Sequence, residues 1–427
     1  MNWKRIRDWF RAKAPKDGAQ PSVAESARTL APDERLQVVI GLDFGTAFTK
    51  VVIGVRGRKY GVPLNSDERG ADKYLLPTPL NLKMRILDGG LDQNVRERIV
   101  KHLAEVLQKS REWLLSEKDA VLGSAIPEWA VNIGMPTENH KDKNLLDMYR
   151  DFVSEAWNIS SSQSARSNDV EPELHLDNIA AFPEFVAQIQ GYISGPQRNL
   201  GIHTLMDVGA GTVDTTVFIV HREKGENKHP ILAASVKPLG TIRLGEHHCS
   251  AVGQPGACPP HPHKQFPSRE RFADLLGVTP EKMKEADYKF QGRVLNEQIR
   301  PLLKRAKEDC PDQSEWREGM PLMLCGGGKR VDFYRAVAGT LVSPEYGDPM
   351  WEVFIDVPEN LDAPSLLQKD MDRLSVAHGL SFDRFDIGDV SWPTPIPPRG
   401  SSGKCPRCNG SGGLHSTCDM CGGRVWI

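Results

Sequence analysis

Two stretches of this chain share one pattern. The β-branched run Val38-Val39-Ile40 enters Gly41-Leu-Asp-Phe-Gly-Thr46 and leaves through Val51-Val52-Ile53. The run from Ile202 to Leu205 enters Met206-Asp-Val-Gly-Ala-Gly-Thr212 and leaves through Thr215 to Val220. Each predicts a strand, a tight glycine turn and a second strand, that is, a hairpin. A third apolar run, Leu322-Met-Leu-Cys325, ends in Gly326, Gly327 and Gly328, with Lys329 and Arg330 next and a helix predicted over 331–342. Val131-Asn-Ile-Gly-Met-Pro136 reads as an interior strand closed by proline. Ile179, Phe182, Val186, Ile189 and Ile193 recur on one face, so 178–193 reads as a helix; 281–308 and 371–380 do too.

The turns carry the first chemistry. Glycine lets the backbone come close to an anion, and successive N–H groups form an anion-binding nest. Asp43 and Asp207 add the hard oxygen charge that a phosphate-bound Mg²⁺ takes, usually through retained waters. Two such hairpins read as a duplicated fold gripping one nucleotide from both sides.

Composition adds bounds. The chain has 427 residues, 39% of them hydrophobic and 26% charged, with a net charge of −2, which is globular composition sufficient for two or three domains. Near-neutral charge gives no sign of a nucleic-acid partner. No apolar stretch approaches a bilayer span, and the N-terminus lacks a signal-peptide core, so a cytoplasmic location is expected. Trp3, Ile6 and Phe10 recur at helical spacing among Lys4, Arg5, Arg7, Arg11 and Lys13, predicting a short basic amphipathic helix before a polar, breaker-rich linker. Two roles stay open for that helix: docking to a membrane surface or a partner protein, or fraying on the protein's own surface.

The tail carries the second chemistry. Cys405-Pro-Arg-Cys408 and Cys418-Asp-Met-Cys421 flank a glycine-rich stretch, and four thiolates satisfy tetrahedral Zn²⁺. So short a unit gains its stability from metal, not from burial. A disulfide pairing is the lesser alternative in a cytosolic chain. A second group, His247, Cys249, Cys258, His261 and His263, has zinc-compatible ligands but irregular, proline-rich spacing, and an ordinary loop is the favoured reading.

These three glycine motifs, in this order, resemble the phosphate and adenosine motifs of the actin, sugar-kinase and DnaK-type heat-shock ATPase superfamily. The resemblance implies an α/β chain with a duplicated ribonuclease-H-like, actin-like ATPase fold and a small zinc-binding tail. Its parts would be a basic segment and linker (1–35), a first lobe (36–200), a second lobe with a mobile upper subdomain (201–385), a linker (386–402) and a zinc knuckle (403–427) similar to half of the DnaJ-type co-chaperone repeat. ATP and Mg²⁺ would be held by Asp43, Gly45, Thr46, Lys50, Gly209, Gly211, Thr212, Gly326, Gly327, Gly328 and Arg330, the last stacking on adenine. Hydrolysis would use Glu184, Asp207, Thr212 and Asp214. Glu184 sits where the chaperones carry Glu-Pro-x-x-Ala; the alternative is a solvated helix-start glutamate favoured by the dipole alone.

Lys50 departs from the chaperone pattern and matches actin-like filament proteins, whose lysine reaches the phosphates. Lys83 is only a distant candidate for the chaperones' catalytic lysine, and Lys307 a weak one for an adenosine contact. The implied function is a DnaK-like ATP-hydrolysing switch acting on a partner protein. Too little chain follows residue 385 for the chaperones' peptide-binding β-sandwich, so a client would meet the zinc tail, the N-terminal helix or another subunit. An actin-like filament or scaffold is the alternative. A metabolite kinase lacks a substrate signature here, and a binder without hydrolysis stays open.

Overall fold

The structure is a computed structural model. It describes residues 34–79, 82–87, 89–136, 142–164, 174–194, 199–223, 226–228, 230–254, 258, 266–343 and 349–387. The basic N-terminal segment, the linker beyond residue 387 and the cysteines Cys405, Cys408, Cys418 and Cys421 lie outside the described residues.

The chain forms a mixed α/β structure with two sheets. The first contains β1 (Arg35–Phe44), β2 (Phe48–Val55), β3 (Arg58–Gly61), β4 (Leu76–Pro77), β5 (Ile126–Met135) and β6 (Ile179–Pro183). The second contains β7 (Gly201–Val208), β8 (Val213–Glu223), β9 (Glu226–Lys228), β10 (Ile231–Lys237), β11 (Met320–Cys325) and β12 (Met350–Val353), and a last strand, β13 (Leu361–Asp362), returns to the first sheet. The strand paths are β13-β3-β2-β1-β5-β6 and β10-β8-β7-β11-β12.

From β3 to β6 and from β10 to β12 the two paths repeat. In each, three strands pair antiparallel in succession, and two parallel strands then extend the sheet from the strand that comes first in sequence. The inner strands β1 and β11 are buried over most or all of their length, and their residues are apolar in near-continuous runs. Val38, Ile40, Leu42 and Phe44 of β1 are buried with Ile99, Leu103, Val106 and Phe152 from the helices Gln93–Glu117 and Lys143–Ser164. In the second half Met206, Val208, Leu322 and Leu324 pack against Phe290, Leu302 and Val337 from helices on that side. A third cluster joins the halves, placing Phe185, Val186 and Ile189 against Leu205, Phe218 and Met323.

Three elements differ from the sequence reading. The helix expected over 178–193 begins only at Glu184; Ile179–Pro183 is β6, paired parallel to β5 with Ile179 opposite Val131. An open strand edge outcompetes the helical pattern there, and the strand closes at Pro183. The helix expected over 281–308 is interrupted by a π-helical stretch, Val294–Ile299, just before Pro301. Proline offers no N–H and its ring crowds the carbonyl four residues back, which widens the preceding turn. The segment 371–380 is a 3₁₀ turn, Gln368–Arg373, followed by the helix Ser375–Leu380.

That last helix packs against β1 and the helix Glu184–Ser194. A Cβ on Gly379 would stand 1.7 Å from the carbonyl oxygen of Ala187, so the two helices touch backbone to backbone. With β13 on β3, the end of the described chain therefore returns to the first sheet. Among the described residues no helix is long and apolar enough to cross a membrane.

His378, on that helix, is buried with neither ring nitrogen hydrogen-bonded. Burial, with a smaller push from Lys59, lowers its pKa to about 3; burial lowers His102 and His203 to about 4. A histidine neutral in the fold but protonated near pH 6.5 when unfolded stabilises the protein above that pH, and the contribution is lost as pH falls toward the folded value. We expect urea stability to decline below about pH 6.5, and His378→Gln to flatten that decline. Equal pH slopes in both proteins would contradict this assignment.

Candidate functional site

The two glycine turns face each other across a cleft of about 560 Å³. Residue pairing across the hairpins makes their repetition explicit. Asp43 lies opposite Lys50 between β1 and β2, and Asp207 lies opposite Asp214 between β7 and β8. Lys50 and Asp214 thus occupy equivalent places with opposite charge. Lys50 Nζ donates to Asp43 Oδ2 at 2.6 Å and overhangs the first turn.

The second turn is braced by its own backbone and the next helix. Gly209 N–H donates to the carbonyl of Thr212 at 2.9 Å, and the carbonyls of Gly209 and Ala210 accept from Thr241 and Ile242, which start the helix Thr241–Ala251. These contacts set the turn's open side toward the cleft. Gly326, in a left-handed conformation (φ 79°), closes on it from β11, where a Cβ would meet Asp207 Oδ1 at 2.1 Å. Only glycine fits such a position without strain.

Most of the expected residues converge. Asp43, Gly45, Thr46, Lys50, Glu184, Asp207, Gly209, Thr212, Asp214, Gly326, Gly327, Gly328 and Arg330 line the cleft. Gly211 does not; the Met84 side chain lies over it. Lys83 is drawn in from the short helix Leu82–Leu87 and donates to Glu184 Oε1. No local motif marks this lysine, because the helix carrying it is placed only by tertiary packing. Arg330 is held at the edge by Asp370 at 2.7 Å and Asp372 at 3.5 Å. Lys307 does not line the cleft; its amine lies 5.9 Å from the ring centre of Trp316.

The far end of the cleft went unread in the sequence. His248 Nε2 pairs with Asp287 Oδ1 at 2.7 Å, Arg269 Nε donates to Asp287 Oδ2 at 2.6 Å, and Phe266 and Phe333 supply apolar wall. These residues come from four separate segments, so no spacing announces them. Cys249 and Cys258, read as part of an ordinary loop, form a disulfide with their Cα atoms 5.5 Å apart. Such pairs are uncommon in reducing compartments. His247 is hydrogen-bonded to the Ala286 carbonyl, and His261 and His263 lie outside the described residues.

Charge at the centre is unbalanced: Asp43, Glu184, Asp207 and Asp214 face Lys50 and Lys83. Burial first, then Glu184 and Asp43, raises the Asp207 pKa to about 7 against the opposing pull of Lys50 and a hydrogen bond from Gln188. Burial, Glu184 and Asp207 raise Asp214 to about 8. Burial would depress Lys83, but Glu184, Tyr149 and Asp43 hold it above its ordinary range. One oxygen of Asp214 has no hydrogen-bond partner. Among the described residues no three acidic, histidine or cysteine side chains converge closely enough to chelate an ion directly. The donor set instead fits a hydrated Mg²⁺, a cation that keeps its waters and is held through them.

No known family model matches the chain, and no curated protein matches it.

Proposed function

We propose that the chain is a DnaK-like ATP-binding and ATP-hydrolysing switch of the actin superfamily, acting on a partner protein. The repeated strand order is compatible with a duplicated ribonuclease-H-like fold. The observation that carries the reading is the meeting of two equivalent glycine hairpins over one cleft with an acidic centre.

In this reading the backbone N–H groups of both turns, with Thr46 and Thr212, donate to the phosphates. Asp43, Asp207 and Asp214 hold the hydrated Mg²⁺, which neutralises phosphate charge when bound. Lys83 donates to a γ-phosphate oxygen, and Glu184 orients the water that attacks γ-phosphorus. The bond to the β–γ bridging oxygen breaks, and ADP, phosphate and a proton leave. Opening and closing of the two halves, biased by the γ-phosphate, would be the output to the partner. The partner would be met by the N-terminal segment or by the zinc-spaced tail.

Lys50 favours a second reading, an ATP-dependent actin-like filament or scaffold, because its amine stands over the first turn within reach of phosphate. One experiment separates them: ATP binding, turnover and sedimentation by the full chain, with Asp207→Ala beside it. Turnover without polymer, lost in Asp207→Ala, supports the switch. ATP-dependent pelleting supports the filament, and absence of ATP binding overturns both.

A further inference from the structure

We infer that Gln188 is a binding residue of the cleft, its amide oxygen accepting a hydrogen bond from a water of the hydrated divalent cation. The inference rests on the ATPase reading and names a contact that its motifs do not contain. Gln188 lies one helical turn beyond Glu184, so both side chains leave the same face of the helix Glu184–Ser194. It is 1% exposed and lines the cleft; its amide N–H reaches toward the Asp207 carboxylate and pulls that pKa down, while Oε1 has no hydrogen-bond partner.

Gln190, two residues on and therefore on the opposite face, gives its Nε2 to the Asp386 carbonyl at 3.1 Å. The unpartnered Oε1 of Gln188 lies on the face that looks into the cleft. A buried amide oxygen without a partner carries a desolvation penalty that leucine of similar size avoids. An occupant of the cleft removes it.

The neighbours decide the occupant's chemistry. Asp43, Asp207 and Asp214 are acceptors without a donor hydrogen when ionised, and a hydrated cation presents only donors outward. Gln188 Oε1 adds one more acceptor to that ring, while its Nε2 is turned to the carboxylate of Asp207. Contacts one shell out from a metal orient what the ion holds and set its affinity.

The test uses the full chain with ADP and Mn²⁺ as a paramagnetic probe for the hydrated cation. Gln188→Leu should weaken Mn²⁺ binding about 10–100-fold. Its ATP turnover should fall at limiting Mg²⁺ and recover at saturating Mg²⁺, with the melting temperature kept. Gln188→Glu retains an acceptor and should restore Mn²⁺ affinity to the wild-type level or above. Should Gln188→Leu fail to fold, Gln188→Met removes the same polar atoms and gives the same readout. Unchanged Mn²⁺ affinity in the folded apolar variant, with the wild type binding normally, overturns the role of Gln188 alone. A wild type that binds neither ADP nor Mn²⁺ overturns the reading of the cleft, and this inference with it.

Discussion

On the proposed ATPase reading, Glu184→Gln should slow ATP hydrolysis by about 10²–10⁴-fold while leaving ATP binding nearly intact. The asymmetry follows from where Glu184 sits. It is the first residue of its helix, directly after the strand that ends at Pro183, and its carboxylate takes the amine of Lys83. The turns after β1 and β7, which would face the phosphates in that reading, belong to other segments and line the cleft, and the substitution leaves them untouched. Glutamine preserves volume and one hydrogen bond to Lys83 but cannot receive a proton or hold water as an anion. The change also removes a charge that pushes Asp207 and Asp214 upward, so both carboxyls should ionise at lower pH in the variant. Single-turnover hydrolysis beside equilibrium binding checks this directly. Wild-type turnover in Glu184→Gln would remove Glu184 from the chemistry and leave it as a pairing partner for Lys83.

Gly379→Ala should destabilise the protein by ~3 kcal/mol or more, at the upper end for overpacked contacts. A new Cβ would overlap the Ala187 carbonyl oxygen at 1.7 Å, and backbone cannot rotate out of the way as a flexible side chain can. The helix Glu184–Ser194 would have to move, taking Glu184 and Gln188 with it. Gly339→Ala is the matched control, because it sits exposed inside the helix Asp332–Leu341 with nothing near its added Cβ. Alanine there should stabilise by ~0.5–1 kcal/mol through helix propensity alone. Urea denaturation of both variants reads the contrast, and similar effects from the two would contradict the close helix contact.

The legible parts of the site are those whose chemistry is local. Glycine turns between apolar β-branched runs place Asp43, Asp207 and Gly326 by backbone conformation, which neighbours in sequence dictate. The β6 strand was misread because a helical pattern of apolar residues also suits a strand edge needing a partner, and only β5 supplies that edge. Lys83, a distant candidate in the sequence, and Gln188, unmarked in it, are brought to the site only by the fold. One lies on a helix with no motif of its own, and the other looks like an ordinary polar position until its surroundings are known. Cys249 and Cys258 needed the fold to bring them together.

By itself the sequence determined two glycine hairpins, the strand before Gly326 and the aspartates at their ends, because turn geometry and β-branched runs are short-range preferences. It also carried the repetition between the halves, since the same local signals recur in the same order. The tertiary structure alone decided that the hairpins face one another and that Lys83 meets Glu184. It also decided that Lys50 and Asp214 are equivalent positions of opposite charge, and that helices touch at Gly379. Those outcomes depend on which sheet edges pair and which apolar faces share a core, and such long-range choices are settled by the energy of the whole packed chain.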